Sequence, residues 1–505
     1  FALGVAETRL ADSYNVANNL PNIVYELILG GILTSVAVPL FVEQIKTRRQ
    51  DEGWEAARAV MTVSLVLLTA VMVLGIVAAP WIVRLYTLRV DPRDQAEVQA
   101  LATFLLRFFM PQILLYGMGS VATSLLNAHR RFAVPMFAPV LNNIVVIASM
   151  LLFASLPTPG PGLPAADNIS MAQKLILGVG TTAGVAAMTF ALWPSLRRIG
   201  FRWGWALRFR HEAVRKLIRL SGWAVAYVAM NQVGLLFVII LAGGRQGGYT
   251  AYTAAFIFFQ LPYAIFSVSI MTALLPSLSE HWVRGDRDSF RQTLARGVRA
   301  SAFVVVPAAA GYVVLARPIV RLLLEHGVAT TASTRLVASV LVFFSLGLFS
   351  FSAFLLFLRA FYAMQDTRTP ALVNVGAVGV NIGANFALFP FLGVRGLALG
   401  HAIAYTFAAV VAGVILRRRL GGLEGRRLGS GLGRIGVAAA ATGAAAWGAA
   451  RAVGAAVGVE TLAGQLAQVA SGVSAGLIVF VGAAVLFRME ELDLIGRTVL
   501  ARFRR

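Results

Sequence analysis

The sequence predicts an all-α polytopic membrane protein, and three observations carry that prediction. Of its 505 residues, 58% are hydrophobic and 13% charged, with a mean hydropathy of +0.77, far from the balance of a soluble domain. Apolar runs of the ~20 residues needed to cross ~30 Å of hydrocarbon recur along the chain, without the short alternating segments of a barrel. Lys and Arg, 44 against 22 Asp and Glu, collect in alternate breaks between those runs. That is the mark of membrane topology and not of nucleic-acid binding. With no cysteine, a disulfide framework, a thiolate metal site and a cysteine nucleophile are all excluded.

The apolar runs predict spans at 11–44, 55–85, 96–126, 132–156, 171–196, 213–243, 247–281, 290–324, 333–362, 369–390, 393–416, 432–456 and 462–487. One set of connections is basic: Lys46 to Arg49, His129-Arg130-Arg131, Arg197 to Arg219, Arg284 to Arg299, Arg417 to Arg434, and the tail through Arg505. By the positive-inside rule these face the cytoplasm. The other set is nearly uncharged, as in the breaker-rich Pro157 to Pro164, and faces outward. A C-terminus inside and thirteen spans put the start of the first span outside. The chain opens on Phe1 without an initiator methionine, so an upstream helix is expected, for about 14 in total.

The chain repeats itself. Leu106-Arg107-Phe108-Phe109, followed by Ala128 and Pro135, recurs as Leu341-Val342-Phe343-Phe344, followed by Ala363 and Pro370, at a constant offset of 235 residues. Pro80-Trp81-Ile82-Val83-Arg84-Leu85 echoes Pro318-Ile319-Val320-Arg321-Leu322, and Leu20-Pro21 with Pro39 and Glu43 echoes Leu261-Pro262 with Pro276 and Glu280. Six spans separate equivalent positions, so the two halves share one orientation. Parallel repeats of this kind are a transporter construction.

Polar residues interrupt the first span. Asp12, Asn15, Asn19, Asn22 and Glu26 recur at spacings of three and four and fall on one helix face. In hydrocarbon such groups must meet neighbouring helices as glue or line a wet cavity. Arg9 precedes the stripe, Arg107 lies inside a span and Arg359 near the end of another. Each could anchor at the membrane interface or grip a phosphate in a bidentate fork. Asn374, Asn381 and Asn385 form a second polar face, with Asn142 and Asn143 in the equivalent span of the first half; for these, packing is the simpler reading. Of the five histidines only His401 is well inside a span. No metal spacing, phosphate loop or nucleophile motif occurs, so no cofactor is expected and the chain reads as a non-enzyme.

The stretches L-P-N-I-V-Y-E-L-I-L-G-G at 20–31, S-L-L-N-A-H-R-R-F-A-V-P-M-F-A-P at 124–139, L-L-P-S-L-S-E at 274–280 and L-R-A-F-Y-A-M-Q-D-T-R-T-P at 358–370 resemble the MurJ/MviN family, the peptidoglycan lipid II flippases of the MOP exporter superfamily. Tyr25 and Glu26 after L-P-N are most similar to its actinobacterial branch. The resemblance implies two six-helix lobes plus a C-terminal helix pair forming a lateral groove. It also implies a substrate, undecaprenyl-diphosphate-linked disaccharide pentapeptide, whose head crosses through a polar cavity by alternating access. Asp12 matches an acidic family position and Arg107 a basic one. This chain departs from the family at Tyr25 and Glu26, where many members carry two arginines, and at Ala255 to Gln260, where they carry A-D-R-x-x-E. A less cationic cavity follows. Members with a sodium site use carboxylates where this chain offers Asn231, Asn374 and Asn381, so coupling to the membrane potential or another monovalent cation is open.

The expected organisation is an N-lobe at 1–196, a basic cytoplasmic linker at 197–212, a C-lobe at 213–418, a helix pair at 419–487 and a basic tail at 488–505. The expected path runs past Arg9, Asp12, Asn15, Asn19, Asn22, Glu26, Arg107, Gln260 and Arg359, with lipid II, membrane lipid and cell-wall synthesis proteins at the cytoplasmic face as partners and no nucleic acid. A MATE-like cation-coupled drug exporter shares the fold, and a membrane scaffold is a third reading.

Overall fold

The structure is a computed structural model that describes residues 8–26, 50–129, 131–157, 166, 168–207, 212–325 and 330–492. The side chain of Glu26 lies outside the described residues, as do the second half of the first expected span and most of the Pro157 to Pro164 loop. Helices run in the order α1 Arg9–Glu26, α2 Gln50–Tyr86, α3 Pro92–Phe109, α4 Gln112–Ala128, α5 Ala133–Ser155, α6 Met171–Phe190, α7 Trp193–Arg198, α8 Glu212–Ala242 and α9 Gly248–Pro262. A π-helical turn at Tyr263–Ser267 leads into α10 Val268–Val283, then α11 Arg287–Leu324, α12 Thr331–Ser345, α13 Leu348–Ala363, α14 Arg368–Leu392, α15 Val394–Leu420, α16 Gly425–Val457 and α17 Leu462–Leu486. No strand occurs among the described residues.

By length and composition, nine helical stretches among the described residues can cross a membrane, ten when α12 and α13, bent by 50°, count as one. Three expected spans fall short for identifiable reasons. The described part of α1 is polar, the apolar described part of α8 covers only Ala226–Ala242, and α16 is rich in Ala and Gly. Large apolar side chains such as Leu74, Trp81 and Phe391 stand exposed, as they must where lipid is the solvent.

The chain clusters into two compact units, Phe1–Thr250 and Ala251–Arg505. The boundary lies one helix beyond the expected linker, because α8 packs on α2 and α1 within the first unit. In that unit α3 starts where the Asp91 side chain accepts from Arg93 N at 3.0 Å with Pro92 in the first turn, a pre-organised N-terminus. It stops at Met110-Pro111, since Pro111 has no N–H to continue the ladder, and α4 resumes at Gln112. The carbonyl of Phe108 left at this break is taken by Thr182 Oγ1 of α6 at 2.7 Å. Helix α6 opens on a reciprocal capping box between Ser170 and Gln173. Leu10, Ala11 and Ala17 of α1 bury against Leu105 and Phe109 of α3 and Phe153 of α5.

In the second unit the α12–α13 break falls at Leu346-Gly347. A side-chain carbon at Gly347 would lie 2.5 Å from the Ala402 Cα of α15, so the two backbones touch where the chain bends. Helices α14 and α15 are joined through Gly393 alone, whose φ of +58° suits glycine. Between α13 and α14, the Asp366 carboxylate accepts from Thr369 N at 2.9 Å, Thr369 Oγ1 at 2.5 Å and Arg419 at 2.6 Å. Partial burial pushes this carboxyl up, but the bonds from Thr369 and Arg419 outweigh it and hold it below its ordinary value. Just past α17, the buried Arg299 of α11 lies 3.2 Å from Glu490 and 3.3 Å from Glu491, fixing the end of the helix pair on α11.

Two outcomes are expected. Gly347→Ala forces α13 and α15 apart and lowers stability by about 1–3 kcal/mol, the cost of overpacking, measured as the unfolding transition in detergent. A carboxyl held below its unfolded-state value stabilises fully at neutral pH and loses that contribution as pH falls through its depressed value. Asp366→Asn therefore lowers the melting temperature at neutral pH, and the gap to the parent protein closes in acid below the carboxylate range.

Candidate functional site

The polar face of α1 is not one site. Its upper part is a clasp. Asp12, 6% exposed, accepts from Gly247 N at 2.7 Å, Thr250 N at 3.0 Å and Thr250 Oγ1 at 2.9 Å. Two of these donors are backbone N–H groups at the start of α9, and a carboxylate there completes the helix N-terminus. Asn15 Nδ2 donates to the same Thr250 hydroxyl at 3.0 Å. One turn earlier, Arg9 donates to Asp94 of α3 at 3.0 Å and to the Gly243 carbonyl at 3.0 Å. All of these residues lie in the first unit, and together they tie α1 to α3 and to the α8–α9 turn. Asp12, Asn15 and Arg9 are thus occupied by their own chain, and do not face the first unit's amide-lined cavity.

The lower part of α1 turns a neighbouring face to a cavity of about 410 Å³ inside the first unit. Tyr14, Asn18 and Asn22 reach it from α1, Gln112 and Tyr116 from α4, Asn142 and Asn143 from α5, and Thr181 from α6. Apolar wall is added by Val146, Ile147 and Val185. Thr181 Oγ1 gives its proton to the Leu177 carbonyl at 2.7 Å, so the Tyr14 hydroxyl is the donor in its 2.7 Å bond to Thr181. Tyr116 donates to Asn22 Oδ1 at 3.3 Å, and Asn22 Nδ2 donates to the Asn18 carbonyl at 2.9 Å. Gln112 is fully buried and gives Nε2 to Thr182 Oγ1 at 3.2 Å. Helices α5 and α6 come close here because position 184 is glycine: a side-chain carbon there would lie 2.6 Å from Asn142 Oδ1.

Three oxygens of the lining, Asn18 Oδ1, Gln112 Oε1 and Asn142 Oδ1, are buried without a hydrogen-bond partner among the described residues. Among the described residues no charged side chain lines the cavity. Asn19 does not line it, although its Nδ2 is buried and unpartnered. The positions that reading by face missed are Tyr14 and Asn18, which with Asn22 recur every four residues, and Gln112, which follows the span-breaking Pro111.

The remaining expected residues lie elsewhere. Arg107 is exposed on α3 and lines a separate, mainly apolar groove of about 460 Å³ with Phe108, Pro111, Val179 and Thr182. Asn231 is half-buried on α8 in the first unit. In the second unit Gln260 is half-buried on α9, and Arg359 is exposed on α13 with its charge bearing on Tyr263 and Tyr362. Asn374 is buried on α14, and Asn381 accepts from Asn385 Nδ2 at 3.0 Å. His401 stands among the rings of Phe256, Phe259, Phe344, Phe351 and Tyr405, with centroids 4.6–5.9 Å away. Among the described residues no group of three or more His, Asp or Glu is arranged to hold a metal ion.

Removing the Asp12 carboxylate takes the acceptor away from two backbone N–H groups and a hydroxyl. Asp12→Ala is expected to cost about 1.5–3 kcal/mol of stability, the range for hydrogen bonds to a charged group, and Asp12→Asn less. Denaturation of the purified protein in detergent checks both.

The family model for "Lipid II flippase MurJ" matches residues 2–466. The "Probable lipid II flippase MurJ" of Haemophilus influenzae is 28% identical over 459 residues, covering 86% of this chain and 85% of that protein. The "Lipid II flippase MurJ" of Burkholderia cenocepacia is 26% identical over 419 residues, covering 82% and 78%. Among solved structures, a lipid II flippase MurJ in an inward closed conformation superposes with a TM-score of 0.75 at 20% identity, over 97% of this chain and 94% of that one. An inward-facing MATE-family multidrug transporter of the MOP superfamily superposes with a TM-score of 0.66 at 14% identity, over 84% and 97%. The likeness in structure shows a shared fold, and the sequence match decides within it: this multi-pass membrane protein belongs to the lipid II flippase MurJ family.

Proposed function

We propose that the chain moves lipid II, the lipid-linked peptidoglycan precursor, from the cytoplasmic to the outer leaflet of the bacterial plasma membrane by alternating access. The observation that carries this reading is the family match along residues 2–466. The internal repeat at an offset of 235 residues supports it, because two parallel bundles can rock about a shared path without covalent chemistry. By the positive-inside rule the C-terminus lies in the cytoplasm. An anionic head moving outward runs down an inside-negative potential, worth about 2.3 kcal/mol per charge per ~100 mV, so the potential itself can drive transport without a bound cofactor.

Among its described residues, the chemistry of the first unit favours this over a cation-coupled drug exporter of the same fold. Such an exporter needs a carboxylate that substrate and proton can reach in turn. Asp12 is spent on the first turn of α9, and the cavity beside it is lined by amides and hydroxyls.

The test is translocation of fluorescent lipid II in proteoliposomes, with rescue of a flippase-depleted bacterium. The chain is expected to pass both. Asp12→Ala, which loosens the clasp, is expected to slow translocation at least tenfold. Reconstituted protein that leaves lipid II in its original leaflet while exporting cationic dyes would sink the reading in favour of the exporter. Rescue that survives loss of translocation would favour the scaffold.

A further inference from the structure

We propose that the first unit holds an anionic phospholipid of the cytoplasmic leaflet, with one acyl chain in a groove between the start of α5 and the end of α6 and its phosphate on Arg131, Arg197 and Arg198. The proposal does not depend on the flippase reading.

The groove, of about 410 Å³, has Val134, Phe137, Ala138, Val140 and Leu141 of α5 and Ala191, just past α6, in its walls. It is apolar throughout and begins where α5 begins, at Ala133. From there to Leu141 is ~12 Å along a helix axis at ~1.5 Å per residue, close to half of a ~30 Å hydrocarbon core. By the positive-inside rule the turn His129-Arg130-Arg131 before α5 lies at the cytoplasmic face. The groove therefore occupies the depth of the inner leaflet, and its length suits one acyl chain.

Tryptophans mark the headgroup level beside it. The stretch 200–207 after α7 is tied along α2, where Arg58 Nε donates to the Arg202 carbonyl at 3.0 Å and Ala206 N donates to Thr62 Oγ1 at 3.1 Å. The rings of Trp193 and Trp203 lie 6.1 Å apart and those of Trp203 and Trp205 5.9 Å. Trp205 and Leu207 stand exposed, as side chains at the membrane interface do. Val134 and Ala138 pack in one core with Leu192, Leu196 and Phe201, so the groove and this stretch are neighbours.

Charge singles out an anionic lipid. The connections 129–131 and 197–211 hold seven arginines and no Asp or Glu, and Arg131, Arg197 and Arg198 are exposed. The second half shows the same turn neutralised from within. At the offset of 235 residues Arg131 corresponds to Asp366 and Val134 to Thr369. There, Arg419 near the end of α15 donates to Asp366 at 2.6 Å and to Thr369 Oγ1 at 2.8 Å. In the first half α7, which follows the helix paired with α5, ends in Arg197 and Arg198, and an arginine takes the place of that aspartate. A lipid phosphate supplies the counter-charge, gripped by guanidinium forks, while its acyl chain covers the groove. A zwitterionic headgroup brings its own ammonium and gains less.

The chain has no cysteine, so Met136→Cys, exposed beside the groove, and Leu151→Cys, exposed further along α5, each carry a single bimane fluorophore. In phosphatidylcholine proteoliposomes, quenching by phosphatidylglycerol brominated on its acyl chains is compared with quenching by brominated phosphatidylcholine. At 136 the anionic lipid is expected to reach half-quenching at about a fivefold lower fraction, the contribution of one arginine near a charged surface, and unbrominated phosphatidylglycerol to restore the signal. At 151 the two lipids are expected to quench alike. Arg131→Asp, which copies the second half, and the pair Arg197→Gln and Arg198→Gln are each expected to remove the preference without moving the unfolding transition, since these side chains are exposed.

Equal quenching by the two lipids at 136, an equal preference at 151, or a preference that survives both sets of variants overturns the proposal and leaves the groove to ordinary boundary lipid. Lipid II that restores the signal at a lower fraction than phosphatidylglycerol also overturns it, by assigning the groove to the transported substrate.

Discussion

A polar group inside hydrocarbon has to find its partner within the chain, and most of what is specific about this structure follows from that constraint. In water an unpaired amide or carbonyl merely exchanges one partner for another; here it has none. The break between α3 and α4 is tolerable because Thr182 takes the freed carbonyl of Phe108. The carboxylate of Asp12 is tolerable because α9 begins where it ends, supplying fixed donors and the positive end of a helix dipole. Other buried polar atoms, Asn18 Oδ1, Gln112 Oε1 and Asn142 Oδ1 among them, have no such partner among the described residues.

The clasp also explains where the chain divides. Sequence composition places a boundary in the basic stretch at 197–212, but charge marks a membrane face and says little about packing. What keeps α8 with the first unit is contact with α2 and the hold that Arg9, Asp12 and Asn15 take on the turn after it. Asp12 and Gly247 are separated by 235 residues, as are Asn15 and Thr250, the same interval as the internal repeat. No periodicity in one helix can reveal a partner so remote.

Much of the architecture was nonetheless legible. Apolar run length located the helices, while the breaks inside the spans read at 96–126 and 333–362 were not foreseen; they fall at matching points of the repeat, since Pro111 and Leu346 are 235 residues apart, and each helix resumes at the next residue or the one after. Legibility fails at the level of the face. Spacings of three and four group Asp12, Asn15, Asn19 and Asn22 on one stripe, yet neighbours divide a helix surface more finely than that. The stripe is split between a turn that consumes Asp12 and Asn15 and a cavity that takes Asn22 together with Tyr14 and Asn18. Arg9, read as a candidate phosphate grip, is paired with Asp94, a residue that nothing near it in sequence announces.

The two repeats share a backbone plan and have parted in chemistry. At the common interval, Tyr116 of the amide cavity corresponds to Phe351 and Gln112 to Gly347. Where the first unit holds a hydroxyl and an amide around a space, the second packs Phe344 and Phe351 with Phe259 and Tyr405 around His401. Aromatic packing of this kind fills volume and excludes water, whereas unpaired amides attract it. A bundle repeated in sequence but open in one half and filled in the other is asymmetric in what it can bind.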